Sequence, residues 1–399
     1  MKTPLSIRPH SLFALPLLIA FAVSAQDKQP VPPAEYGKWE MLDLGGELSP
    51  DGKWLAYGVR RANGQNELRV ATLAGGNNQV AAFGERPAFS ADSQWLAYSI
   101  GIHEDERAKL TKQKKPIRHK LGLMKLATGE VTVFEGIESF AFSKAGAFLA
   151  MRHYPPEKPA AAQPAEGAPE APADPPGSTL VVRNLAAGAD STFGSVSQHA
   201  WQDKGSLLAM IINAEGKSGN GIQVFDAASG SLRVLDSSPA IYTGLSWRKD
   251  SGDVAALRAK TDDKFEDETC LVLAFKDARD RFTYDPAGDP QFPAGKRILK
   301  LRAPTWSEDG ATVLVGLAEW EKKLPPPAKK SDEEPSTVEV WHTRDIRIMP
   351  EQKLRASRDR QRSSLAAWHI TAGRLVPLSE NPEEEIRPLK NSAWALAID

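Results

Sequence analysis

Cysteine is almost absent from this 399-residue chain, and Cys270 stands alone. One thiol cannot close an internal disulfide, so the fold must be held by its own core. Cys270 reads as a buried bystander rather than a reactive thiol. A Gly-x-Ser-x-Gly elbow is missing, which excludes an α/β-hydrolase nucleophile within these residues. His-Glu-x-x-His is missing too, and His103, His119, His153, His199, His342 and His369 are scattered without metal-ligand spacing. No Gly-x-x-x-x-Gly-Lys loop is present to cradle a phosphate. These absences leave no catalytic, cofactor-binding or metal-binding residue to nominate. Charge imbalance is lacking as well. The formal net charge of −1 gives no reason to expect nucleic acid or an anionic membrane as partner.

Long apolar runs are confined to the N-terminus. Lys2 and Arg8 precede the apolar stretch Leu12 to Val23, and Val23-Ser24-Ala25 offers the small residues of a signal-peptidase site. The run is short for a membrane span, and no cysteine follows it to carry a lipid anchor. Residues 1–25 are therefore expected to be a signal peptide, with Gln26 as the mature N-terminus and a periplasmic or secreted destination. Lys2 and Arg8 leave with it, taking the basic count from 50 to 48 against 51 acidic residues. No membrane span is expected after the signal is removed.

What is present is a phrase that recurs. Ser49-Pro50-Asp51-Gly52-Lys53-Trp54-Leu55-Ala56-Tyr57 returns as Ser90-Ala91-Asp92-Ser93-Gln94-Trp95-Leu96-Ala97-Tyr98, and again from Ser143 to Met151. Weaker copies lie at Asp203–Met210 and Asp250–Leu257, and a strong one at Trp306–Val315. A further copy starts near Asn391-Ser392-Ala393-Trp394. Each phrase is a tight turn followed by a strand. Proline presets φ at the second turn position, Asp and Gly accept the positive φ that closes the turn, and the next residues alternate as a half-buried strand does. Further strands are expected at Glu67–Leu73, Gly122–Leu126, Ser178–Leu185 and Gly221–Asp226. Gly-containing hairpins at 127–130 and 228–231 then lead into Val131–Phe134 and Leu232–Leu235. Counted on the turn glycine or its replacement, with Gly252 used in the fifth copy, the spacing runs from 41 to 59 residues. The shortest interval matches the roughly 40–45 residues of a four-stranded propeller blade, and inserted loops account for the longer ones. A β-sandwich with regular hairpins is the competing all-β reading, but it gives no reason to repeat one phrase. The expected fold is an all-β propeller over residues 26–399, with about six blades represented of an expected seven or eight and the chain ending within a blade.

Four stretches break the pattern and are expected as disordered inserts, within or between blades: 103–120, 155–177, 262–295 and 324–335. The first is basic, with Lys112, Lys114, Lys115, Arg118 and Lys120. A phosphate site is one reading and a solvated loop the plainer one. The second is almost only Pro, Ala and Glu, which cannot pack a core. Val338–His342 reads as a strand, Glu351–Arg362 as a solvated helix with Arg355, Arg358, Arg360 and Arg362 spread around it, and Ser363–Ile370 as another strand. Glu383-Glu384-Glu385 is an acidic run that would suit a substrate amine or simply face solvent. Trp341 and His342 form a pair at a strand end, read more simply as packing.

The phrase Ser49–Tyr57 resembles the propeller repeat of exported prolyl oligopeptidase-family serine peptidases. The segment Phe292–Ile298, then Pro304–Gly310, Glu319-Trp320 and Val338–His342, is similar to the mid-propeller region of a bacterial dipeptidyl or acylaminoacyl peptidase-like subgroup. The phrase alone is shared with Tol-type periplasmic propellers. The resemblance implies that peptide substrates and a C-terminal α/β-hydrolase domain are the partners. This chain would be the gating and substrate-filtering part, inactive alone, and the family's catalytic residues match no position in it. A non-enzymatic periplasmic propeller that binds protein partners is the alternative. A nucleophile elbow with later Asp and His downstream of Asp399 would favour the first reading, and a stop codon the second.

Overall fold

The computed structural model describes residues 30–43, 45–76, 78–156, 177–262, 265, 268–320, 347–359, 362–379, 384–389 and 394–398. It is a succession of antiparallel meanders in chain order. The first sheet contains Glu40–Leu42, Glu47–Leu48, Trp54–Arg61, Glu67–Thr72 and Gln79–Ala82. The second contains Gly84–Phe89, Trp95–Ile100, Lys120–Lys125 and Glu130–Phe134. Next comes a seven-stranded sheet that is two units sharing one strand. Asp190–Trp201 pairs with Ser178–Asn184 through its first half and with Leu207–Ile212 through its second. It bends at Gly194-Ser195, where Ser195 takes a φ of 56°. Tyr242–Trp247 to Asp280–Tyr284 form the fifth unit. Lys296–Ile298, Thr305–Trp306, Thr312–Glu319, Ser364–His369 and Arg374–Pro377 form the sixth. A hairpin of Glu385–Pro388 and Ala395–Ile398 follows it.

The first strands of successive units stand side by side in chain order, so the sheets are arranged radially as the blades of a β-propeller. The expected strands at 67–73, 122–126, 178–185, 221–226 and 363–370 all form, with ends shifted by at most two residues. The insert expected at 262–295 is a correction. It contains Thr269–Lys276 and Asp280–Tyr284, the third and fourth strands of the fifth unit. The charged residues around Cys-Leu-Val-Leu-Ala-Phe hid a buried strand whose every residue from Cys270 to Phe275 is in the core. Cys270 is fully buried there, and burial pushes its thiol pKa up to about 12. The inserts at 155–177 and 324–335 and the strand Val338–His342 lie largely or wholly outside the described residues.

The repeated phrase works through its serine. Ser49, Ser90, Ser143 and Ser307 are all buried. Their Oγ atoms accept the backbone N–H five residues on, at Trp54 (2.9 Å), Trp95 (2.9 Å), Phe148 (3.1 Å) and Thr312 (3.0 Å). Three of them also donate to the Asp two residues on, 2.7 Å at Asp51 and 2.6 Å at Asp92 and Asp309. This serine contact is the main cause of the lowered pKa of Asp51 and of Asp309. In the fifth unit the turn starts at Arg248, and the positive φ falls on Asp250 rather than on Gly252, which corrects the count made on Gly252.

Neighbouring units are tied at these turns. Asp51 N donates to Ser93 Oγ (3.1 Å), Gln202 Nε2 to Ser251 O (2.8 Å), and Arg248 Nη1 to Glu308 O (2.9 Å). Gly146 lies so close to the second unit's turn that a Cβ there would sit 3.0 Å from Asp92 N. Three tryptophans directly before a turn make the same link deeper in. Trp201 Nε1 donates to Ala141 O (3.0 Å), Trp247 Nε1 to Ala200 O (2.8 Å) and Trp306 Nε1 to Ser246 O (3.3 Å). Each reaches back to the first strand of the preceding unit. Between the fourth and fifth units, buried Asp236 accepts from Tyr242 Oη (2.7 Å) and Arg258 (3.0 Å) and pairs with Arg281 (2.6 Å). A carboxylate taken out of water needs such partners.

Candidate functional site

The second strand of every unit runs away from the serine turns, and the chain then returns as the third. The strand ends that the connections between them join therefore gather on one face, opposite the turns. These connections are 62–66, 101–119, 154–177, 213–220, 261–268 and 320–363. In sequence the inserts 103–120 (but for Lys120), 155–177 and 324–335 fall within these connections, as does 262–268 of the fourth stretch, while 285–295 joins the fifth unit to the sixth. Long, varied loops on a rigid frame are where binding residues concentrate.

The insert at 103–120 corrects the expectation of disorder, because Glu104–Lys112 is a helix. Glu104, Asp105 and Glu106 lie in its first turn and Lys109 and Lys112 in its last, an arrangement that suits the helix dipole. His103 caps it: Nδ1 accepts from Asp105 N (3.2 Å), which leaves Nε2 to donate to Asn63 O (3.1 Å) in the first unit. No residue of the helix is buried. The basic residues do not converge on one anion site. Lys120 pairs with Glu135 (3.0 Å), and Arg118 sits 5.8 Å above the Tyr154 ring.

His119 and Tyr154 stand at the roots of two adjacent loops. Tyr154 Oη accepts from His119 N (3.2 Å) and lies 2.9 Å from His119 Nδ1. With the phenol proton directed at Nδ1, the hydroxyl donates and accepts at once. The neutral ring then carries its own proton on Nε2, 3.2 Å from Glu85 Oε1 though off line for a hydrogen bond. Burial lowers the His119 pKa, Glu85 opposes that, and Arg86 and Arg107 add to it.

The first strand of every unit is interrupted at one level. Register breaks fall between Glu85 and Ala88, Ile137 and Ser139, Val196 and Gln198, and Thr243 and Ser246. In the first and sixth units the strand is split outright, between Leu42 and Glu47 and between Ile298 and Thr305. Bulges of this kind re-aim side chains and cluster at functional sites. Charged groups sit at these openings. Arg152 donates to Glu138 within its own unit and to Ser197 O in the next. His199, one residue past the following register break, has its pKa lowered to about 4, first by burial and then by the Arg152 charge. Glu47 is raised by burial and accepts from Phe89 N (3.4 Å). Gln198 Oε1 accepts from Leu245 N (3.3 Å), and Thr243 Oγ1 donates to Lys300 O (3.3 Å). These contacts join neighbouring units at the level of the openings.

In the sequence His119, His153 and His199 are scattered histidines, and Glu85, Glu138 and Arg152 belong to no motif. Arg152 lies nine residues past Ser143 of the phrase, and Glu85, Glu138 and His199 lie on the strands paired opposite the strand that follows each turn. Trp341 and His342 lie outside the described residues, as does Glu383. Glu384 accepts from Ser379 Oγ (2.5 Å). The helix expected at 351–362 spans Met349–Asp359, and its Arg355 pairs with Glu351 (2.9 Å). Among the described residues no group of three or more His, Cys, Asp or Glu side chains could hold a metal ion. No helix there is long and apolar enough to cross a membrane.

No protein-family model matches the chain, and no curated protein matches it in sequence. Solved structures do match in shape. The β-propeller domain of the trilobed protease from Pyrococcus furiosus is 10% identical, with 87% of each chain covered and a TM-score of 0.36. The acylaminoacyl peptidase of Pyrococcus horikoshii is 13% identical over 71% of this chain and 43% of that one, at a TM-score of 0.34. TolB from Acinetobacter baumannii is 14% identical over 61% of this chain and 53% of that one, at a TM-score of 0.28. The chain thus spans about half the length of TolB and less than half that of the acylaminoacyl peptidase. These are likenesses between propellers at low identity.

Proposed function

We propose that this propeller receives peptides at its loop face and is the gating, substrate-filtering part of an exported serine peptidase that acts on short peptides. The observation that carries the reading is the common level at which every first strand opens, with Glu85, His119, Glu138, Arg152 and His199 set at or beside the openings. Interrupted strands and charges of both signs suit an extended peptide, which brings backbone amides and two charged ends. The resemblance of Ser49–Tyr57 and Phe292–Gly310 to peptidase propellers supports the same reading. So does the N-terminal run ending at Val23-Ser24-Ala25, from which we infer a mature start at Gln26.

The test is calorimetric titration of the chain from Gln26 onward with unstructured peptides several residues long, longer than a dipeptide. Saturable binding without hydrolysis is expected, weakened about tenfold by Arg152→Met, which corresponds to about 1.4 kcal/mol. Absence of peptide binding, or binding indifferent to Arg152→Met, would overturn the reading. The second reading is a non-enzymatic propeller for protein partners, and the sharing of the Ser49–Tyr57 phrase with Tol-type propellers favours it. Capture of folded proteins with no affinity for short peptides would select it. N-terminal sequencing of the exported protein is expected to start at Gln26, and a start at Met1 would remove the export claim.

A further inference from the structure

A cavity of about 290 Å³ opens between the second and third units on the turn face, away from His119 and Arg152. Its apolar side is made by Trp95, Leu123 and Leu185, and its polar side by Lys125, Glu130 and Arg183. Lys125 and Glu130 face each other across the hairpin of the second unit as register partners. Neither has an ion-pair partner among the described residues. The Lys125 ammonium sits 5.9 Å from the centre of the Trp95 ring. Arg183 is different, because its Nη1 lies 3.1 and 2.9 Å from the two Asp190 oxygens and its guanidinium is 5.1 Å over Phe134. Its charge is already answered, so it serves as a wall. The cavity therefore offers one open cation, one open anion and an aromatic surface.

We propose that this cleft binds a zwitterionic dipeptide with a bulky apolar side chain. Lys125 would take the carboxylate, Glu130 the ammonium, and Trp95, Leu123 and Leu185 the side chain. The volume lies at the lower edge of the roughly 300–1,000 Å³ of small-molecule pockets, which suits a dipeptide and excludes a folded partner. A neutral sugar would use Trp95 and leave both charges unanswered, and a simple carboxylate would answer only Lys125. The site is separate from the loop-face openings and goes beyond the reading given for them.

The experiment is calorimetric titration of the chain with Ala-Phe, N-acetyl-Ala-Phe and Ala-Phe amide. Saturable binding of Ala-Phe is expected, with both capped forms at least tenfold weaker. Lys125→Met should cost Ala-Phe about tenfold and leave the amide unchanged, while Glu130→Gln should do the same with the acetylated form unaffected. Both side chains are exposed, and Lys125→Gln with Glu130→Ala serve as a second pair if a variant fails to fold. No saturable binding, equal binding of capped and free forms, or unchanged affinity in both variants would overturn the proposal. Arg152→Met should leave Ala-Phe binding intact, so failure of this site and failure of the loop-face reading are told apart.

Discussion

On the turn face, Ser49, Ser90, Ser143 and Ser307 repeat one arrangement: a buried hydroxyl accepts the N–H that starts the next strand, and the turn touches the turn beside it. On the loop face the described connections differ from unit to unit. One carries a capped helix, one a loop rooted at Tyr154, one a compact loop held by Asn220, whose Oδ1 accepts from Ala214 N (2.8 Å). Uniform contacts hold the frame in register. The variable contacts are where charge is brought close to openings in the first strands. Stability should therefore be read from the turn side and the binding of extended peptides from the loop side, and the two should separate under mutation.

The strongest way to break that separation is at a tryptophan that joins units. Trp201 is 9% exposed and stacks with Phe148 at 6.2 Å while its Nε1 bonds Ala141 O. Trp201→Ala should cost about 3–5 kcal/mol in denaturant unfolding. Trp201→Phe should cost less, about 1–3 kcal/mol, because a six-membered ring is kept while the rest of the indole and the bond to Ala141 O are lost. A loss below 1 kcal/mol for the alanine variant would show that the units are not tied there.

The pH dependence is the next largest effect. The folded His199 pKa of about 4 lies below the ordinary 6.5. The unfolded chain therefore takes up this proton first as the pH falls. Its contribution is fully present above about pH 6.5 and is lost as the pH drops toward 4, up to about 3 kcal/mol. His119 is shifted in the same direction and adds to the trend. Melting curves between pH 7 and pH 4.5 should show the fall, and His199→Gln should flatten it. A melting temperature that rises on acidification would contradict the burial of His199.

At the turns, Ser90→Ala removes the acceptor for Trp95 N and should cost about 1–3 kcal/mol. Pro50→Ala, in the most regular copy of the phrase, should cost only about 0.4–1 kcal/mol through the unfolded chain. If the proline substitution proved the costlier, the phrase would owe its recurrence to backbone preset rather than to the serine. Peptide binding should be unchanged in Ser90→Ala, measured under conditions where the variant is folded.

The phrase made the strands legible, because alternation after a tight turn is a local property. The serine was quoted in each copy but its role was not readable. A hydroxyl beside an aspartate suggests a turn, and only the structure shows it buried and accepting from five residues on. Phe89, Phe142, Trp201, Trp247 and Trp306 each stand directly before a turn. That pattern was in the sequence, but its meaning depends on the preceding unit, which no local window contains. Thr269–Lys276 was lost because charged flanks on both sides masked a short apolar run. The strand Asp190–Trp201 serves two units at once, which spacing counts cannot register. The loop-face site was legible only as a shared position relative to the phrase, not as a set of contacts. Glu138 and Arg152, or His119 and Tyr154, lie far apart in sequence and meet only through strand pairing and loop return.

Hydrogen exchange with and without a bound extended peptide, one too long for the cavity beside Trp95, tests the division between the faces most directly. Added protection is expected at 83–88, 119, 137–139, 152–154 and 196–199, with the turns at 49–52, 90–93, 143–146 and 307–310 unchanged. Protection confined to those turns, with the loop-face segments unaltered, would contradict the account.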